Sequence, residues 1–152
     1  DIGCTTGTQR LISDVNYSPS VALVMRGNGR PLLVTAGDFS SLRVNDCADA
    51  VCTTTTQVAF DTDTTDTVGA ALRPDGRPIV AFGKRNAPQD LRVLDCATTS
   101  CATGASRSKV AGGDLGSRLA LALRDDGRPV IAHYDADSGD LRLHVCANSD
   151  CL

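Results

Sequence analysis

Apolar and polar positions alternate along this chain over short runs, and the runs recur in sets. "SVALVM" (20–25), "GAALR" (69–73) and "RLALALR" (118–124) are apolar segments built from small residues. Each leads into a turn, "GNG", "PDG" or "DDG", and then into a second apolar segment, "PLLVTA", "PIVAFG" or "PVIAHY". Gly and Asn reach positive φ at little cost, so each set opens with a predicted β-hairpin. The proline that starts every second segment fits, because a missing N–H matters least at the beginning of a strand. A third strand is predicted over "SLRVNDC", "DLRVLDC" and "DLRLHVC", where apolar and polar residues alternate as on a half-buried strand. A fourth follows in "TTTTQVAF" and, less clearly patterned, in "ATGASRSKVAG". The segment "DTDTTDTVG" (61–69) reads as a link that carries the chain from the outer strand of one set to the inner strand of the next.

The sets are copies of one unit. Gly-Arg-Pro recurs at Gly29, Gly76 and Gly127, and a period of about 50 residues is the mark of stacked supersecondary units. The period-2 pattern and the turn chemistry exclude helical solenoids. A β-sandwich also accommodates spaced strands and turns, but its strands do not recur in near-identical sets. Four short antiparallel strands and a crossing link describe a β-propeller blade. Ala22, Ala70, Ala71, Ala120 and Ala122 supply the small residues needed where inner strands crowd an axis. The expected fold is therefore all-β, with about three four-stranded antiparallel blades in one repeat domain. Its expected parts are a terminal outer strand at 1–14, then blades at 20–61, 68–112 and 118–152, the last lacking its outer strand.

Composition narrows the partners. A chain of 152 residues buries roughly two-thirds of its unfolded surface, and with 3% aromatic residues and no Trp its core must be aliphatic. A net charge of −3 leaves no cationic excess for phosphates, so neither nucleic acid nor an anionic membrane is an expected partner. No apolar run approaches the roughly 18 residues of a membrane span, and the "DIGCTT" opening does not resemble a retained leader, so none is expected.

Cysteine usage points outside the cell. Of seven cysteines, six form C-x4-C pairs at one place in each repeat: Cys47 with Cys52, Cys96 with Cys101, and Cys146 with Cys151. Structural zinc prefers C-x2-C with a second pair or a nearby His, so disulfides and an oxidising compartment are expected. A cross-link flanking so short a turn is worth about 2 kcal/mol by loop entropy.

The third repeat, "DDGRPVIAHYDADSGDLRLHVCANSDC" (125–151), resembles the repeats of secreted bacterial β-propeller proteins, similar to NHL-type blades with an added cysteine pair. The first repeat departs from it at "GDFSSL" and the second at "KRNAPQDL". The resemblance implies fold and secretion and carries no single activity.

The two ends match each other. "CTTGTQRLISD" from Cys4 parallels "CTTTTQVAFD" from Cys52, so the chain opens on a fourth strand without its first three and closes where the third repeat should begin its fourth. Gln9, Arg10, Leu11 and Ile12 are the expected assembly strand, completing the third repeat of a second copy. Three blades are too few to close a ring, so the expected outcomes are a closed dimer of six blades or an open fibre. Cys4, the odd cysteine, is positioned to bond across that junction. The competing expectation is that these residues are part of a longer propeller.

Candidate chemistry is sparse. Asp135, Asp137 and Asp140 have the alternation of a calcium loop but no downstream bidentate Glu, and Asp and Gly at a strand-to-strand turn explain them more simply. Calcium is thus the one candidate cofactor, and no other is expected. Asp61, Asp63 and Asp66 read as a solvated crossing loop, and His133 and His144 as strand residues. No nucleophile elbow, zinc-protease motif, phosphate loop or dinucleotide fingerprint is present, and the chain is not expected to be an enzyme. The functional expectation is an exported structural or adhesive module that associates with copies of itself. The alternatives are a carbohydrate- or peptide-binding propeller, with cell-surface glycans as partners, and a secreted hydrolase or lyase using Asp63, Asp66 or Asp135. Five aromatic rings, Phe39, Phe60, Phe82, Tyr17 and Tyr134, are few for stacking on sugars.

Overall fold

A computed structural model of the chain describes residues 7, 9–12, 20–36, 41–61, 64–84, 90–111 and 118–151, with the backbone alone at 65, 66 and 107–111. These residues form eleven strands and no helix, arranged as three antiparallel sheets. The first sheet holds β1 (Ser20–Met25), β2 (Pro31–Ala36), β3 (Arg43–Cys47) and β4 (Thr55–Ala59) in that order. The second holds β5 (Thr64–Leu72), β6 (Pro78–Lys84), β7 (Asp90–Cys96) and β8 (Gly104–Ala111). The third holds β9 (Leu119–Leu123), β10 (Pro129–Asp135) and β11 (Asp140–Val145).

The three leading hairpins are built alike. Gly29, Gly76 and Gly127 sit at φ of 77°, 80° and 77°, a left-handed conformation that glycine adopts without a Cβ clash. In each turn the glycine N–H donates to the carbonyl of the arginine three residues earlier, Arg26, Arg73 or Arg124. The Asn28, Asp75 and Asp126 side chains accept the N–H of Arg30, Arg77 and Arg128 at 3.0, 2.9 and 3.1 Å. This is the local reason that "xNG" or "xDG" before Arg-Pro reverses the chain here.

The expected link at 61–69 needs correction, because β5 already begins at Thr64 and its register shifts between Thr64 and Val68. Thr64 and Thr67 are buried, so this polar run is an inner strand with an irregularity. β-Branched threonine suits a pleated surface.

The sheets stack with their leading strands in contact, β1 on β5 and β5 on β9. One aliphatic layer lies between the first and second sheets, with Val24, Leu32, Val34 and Val44 meeting Val68, Val80, Phe82 and Leu94. A second lies between the second and third, with Ile79, Ala81, Leu91 and Val93 meeting Leu119, Leu121 and Ile131. The middle sheet is therefore covered on both faces, and Pro78 to Gly83 of β6 are all buried. The crowding of inner strands expected from alanine is sharpest at Gly69, where an added Cβ would fall 3.0 Å from the Cβ of Leu121.

Candidate functional site

The cysteine pairs form the three expected disulfides, with Cα–Cα distances of 4.8, 4.9 and 4.8 Å. Each closes the turn that follows the third strand of its sheet, and the second cysteine of each, Cys52, Cys101 or Cys151, takes φ between 54° and 57°. A left-handed β-substituted residue carries strain, which the cross-link and a turn bond from the same residue's N–H hold in place. Three such bridges fit an oxidising environment.

Buried arginines pin the outer turns. Arg73 is nearly inaccessible and places Nη1 2.8 Å from Asp95 Oδ1. Its Nε donates to the carbonyl of Ser149 at 3.2 Å, on the disulfide turn of the neighbouring sheet. Arg26 repeats the first contact with Asp46. In the third repeat Val145 stands where the acid should be, and Arg124 is half exposed with Asp126 as its ion-pair partner at 3.9 Å. Asp61 ties the first sheet to the second through Lys84 at 3.4 Å and Arg92 at 3.3 Å. Sequence reading missed these links, although an arginine stands three residues before each repeat glycine.

The third sheet differs from its companions at the edge. β4 pairs with β3 and β8 with β7, whereas among the described residues β11 pairs with β10 alone. Leu141, Leu143 and Val145 of β11 are 80%, 64% and 51% exposed. The counterparts of the two leucines, Leu42 and Val44 in the first repeat and Leu91 and Val93 on β7, are buried. Gln9–Ile12 are described and belong to no strand in the chain, and Leu11 is 86% exposed. The expected terminal strand is therefore not formed within this chain over those residues, and Cys4 lies outside the described residues.

Both ends of the stack are apolar. On the first sheet Val21, Leu23 and Met25 project away from the second sheet and are 54%, 58% and 55% exposed. On the third, Ala120 and Ala132 share a face with Leu143, and Ala122 and Val130 share it with Val145. This face points away from the Leu121 and Ile131 layer. Patches of this kind on soluble proteins mark interaction surfaces.

The carboxylates singled out in the sequence serve the turns. Asp135 Oδ1 accepts the N–H of Asp137 and of Ser138 at 3.2 Å each, and its Oδ2 lies 2.6 Å from Arg142 Nε. The Ser138 N–H, ahead of the other contacts, holds the Asp135 carboxyl below the usual carboxylate range. Asp140 pairs across the same hairpin with Asp135. Asp63 and the side chain of Asp66 lie outside the described residues. His133 is buried on β10. His144 stands on β11 close to the Cys146–Cys151 bridge, and these three are the one His/Cys/Asp/Glu group within metal-holding reach among the described residues. Both sulfurs there are committed to the disulfide.

No family model matches the chain, and no curated protein matches it. Among solved structures, one described as a protein of unknown function from Dyadobacter fermentans DSM 18053 aligns over 87% of this chain with a TM-score of 0.62 at 19% identity. The alignment takes in 38% of that longer chain, so this sequence spans less than two-fifths of the length of its structural neighbour. The likeness is one of fold.

Proposed function

We propose that this chain is an exported, disulfide-clipped module of propeller type whose role is structural or adhesive, exerted through association with further copies of itself. One observation carries the reading: the stack ends in two apolar faces whose residues are exposed at positions that are buried or partly buried wherever one sheet of the chain meets the next, and among the described residues its last strand pairs on one side alone. Among the described residues β11 pairs with β10 alone, and an edge strand of that kind accepts an added strand. Residues 9–12, of which Gln9, Arg10 and Leu11 are exposed and which belong to no strand of the described sheets, are the proposed incoming strand. Such completion by a second copy gives a closed dimer of six blades or, where the rotation fails to close, a filament.

Sedimentation velocity of the oxidised protein from 1 to 50 μM, on the order of the affinities of homomeric contacts, tests the reading alongside intact mass and negative-stain microscopy. Dimers, rings or fibres are expected, and a monodisperse single chain across that range overturns it. A second reading, in which additional sheets of a longer chain cover the same faces, is favoured by the structural neighbour, over three-fifths of whose length lies beyond the aligned part. It requires this segment alone to remain monomeric or to aggregate without order, whereas the same segment within the longer chain does neither.

A further inference from the structure

The sheets face one way along the stack, and this polarity fixes how copies must meet. Superposing the repeats on their Gly-Arg-Pro turns makes Ala22, Gly69 and Ala120 counterparts, and likewise Val21, Val68 and Leu119, and Leu23, Ala70 and Leu121. Ala22 faces forward into the layer shared with the second sheet, and Gly69 faces forward into the layer shared with the third. Val68 and Ala70 face backward into the first layer, and Leu119 and Leu121 backward into the second. Among the described residues, Ala120 is thus a forward position with no sheet before it, while Val21 and Leu23 are backward positions with no sheet behind them.

We propose that copies dock head to tail, the forward face of the third sheet of one copy covering the backward face of the first sheet of the next, with Ala120 set against Leu23. The proposal rests on the assembly reading and adds its geometry. The occupant is argued from the molecule itself, since the contact repeats twice inside one chain and its two halves are the surfaces left open. In the first layer alanine takes both counterpart positions, Ala22 and Ala70, whereas Gly69 admits the closer contact with Leu121 in the second; Ala120, Leu23 and Val21 are the equivalent residues at the junction, and Ala120 has the size that the first layer accepts. The contact is heterologous, so neither end face meets its own kind.

Cysteine pairing distinguishes this geometry from all symmetric ones. Cys4→Ser is the background, removing the seventh cysteine, and Ala120→Cys and Leu23→Cys are made in separate chains. Both positions are exposed, so circular dichroism should show each variant folded as the parent. A disulfide requires Cβ atoms roughly 3.5–4.5 Å apart, a spacing that only juxtaposed positions meet. On mild oxidation, the mixture of the two variants is expected to give a covalent heterodimer on non-reducing gels, and each variant alone is expected to stay uncross-linked. Ala122→Cys with Met25→Cys, one step further along the same strands, provides the second pair should either first variant fold poorly.

Cross-linking of either single variant with itself overturns the head-to-tail geometry, because it requires a symmetric contact. Absence of the heterodimer from both pairs, in a protein that sediments as an oligomer, overturns it as well and leaves the assembly reading standing. A parent that sediments as one chain at all concentrations overturns the assembly reading and this geometry with it.

Discussion

Gly69 on β5 lies against Leu121 on β9 so closely that a Cβ added to the glycine would come within 3.0 Å of the leucine Cβ and 3.1 Å of its backbone nitrogen. Inner strands of neighbouring sheets approach to that distance because one of them has no side chain there. Backbone and Cβ cannot swing aside as a side-chain tip can, so the sheets must separate. Gly69→Val is therefore expected to cost about 1–3 kcal/mol through overpacking, read as a lower urea midpoint with unchanged slope. Ala120→Val, at the equivalent but exposed position, should leave the isolated chain within about 0.5 kcal/mol. Equal losses for the two variants exclude the packing argument.

The disulfide turns make a second prediction. Cys96 and Cys101 are fully buried in the layer between the first two sheets, and Cys101 has φ of 54°. Replacing both by alanine removes about 2 kcal/mol of chain-entropy stabilisation and leaves alanine in a left-handed conformation. Cys96→Ala with Cys101→Gly removes the same bridge without that strain, and is expected to be more stable than the double alanine by about 1 kcal/mol. Thermal unfolding of the three proteins under identical conditions checks the order, and a glycine variant no better than the alanine one refutes the strain.

A third concerns the buried arginine. Arg73→Met removes the nearer partner of Asp95, leaving Arg77 at 4.0 Å, and the donor to the Ser149 carbonyl. Breaking a buried pair from one side costs roughly 3–5 kcal/mol, and because the Asp95 carboxylate retains solvent contact the loss is placed at about 3 kcal/mol. Arg124→Met changes the counterpart in the third repeat, which is half exposed and lacks the matching acid, and is expected to stay within about 0.5 kcal/mol of the parent. Denaturant titration compares them directly.

A fourth follows from the turn carboxylates. The Arg77 N–H and guanidinium hold Asp75 below its ordinary value of 3.8, the Arg128 side chain and N–H do the same for Asp126, and the Thr53 hydroxyl and N–H for Asp49. A carboxyl depressed in the folded state contributes stability above its unfolded value, and that contribution disappears as pH falls through the folded one. The melting temperature should be flat from pH 7 to 5 and fall below about pH 4. The Asp75→Asn, Asp126→Asn variant, which copies the Asn28 found in the first repeat, should show a shallower acid limb, and an unchanged limb assigns the acid sensitivity to other groups.

What the sequence disclosed follows from what each residue does locally. The hairpins were legible because Gly76 and Pro78 act within their own turn, and the disulfides because Cys96 and Cys101 are five residues apart. β5 was misread at its start because "DTDTTDT" is polar by composition, and only a covering sheet makes Thr64 and Thr67 buried residues. Arg73 escaped notice for a similar reason, since its partners Asp95 and Ser149 are distant in sequence and belong to two different sheets. The end faces show the limit most clearly. Ala120 and Gly69 are equivalent in the repeat, yet one is covered and the other bare, and only the order of the stack decides which.

The open edge yields the last prediction. β11 presents Leu141 and Leu143 to solvent at positions that are buried in the first two sheets, and it lacks a partner on its outer side among the described residues. A lysine on an edge strand opposes further pairing, since an added strand must bury or crowd the ammonium group. Leu141→Lys with Leu143→Lys alters two exposed side chains, so the fold of the single chain should be retained, with a melting temperature within a few degrees of the parent. Association should weaken at least tenfold, which corresponds to about 1.4 kcal/mol, and a synthetic peptide covering residues 5–14 should bind the parent and fail to bind the variant. If the lysine variant assembles as the parent does, neither the edge nor the face that Leu143 shares with Ala120 is where copies join. If the peptide binds both equally, residues 9–12 are not the strand that completes it.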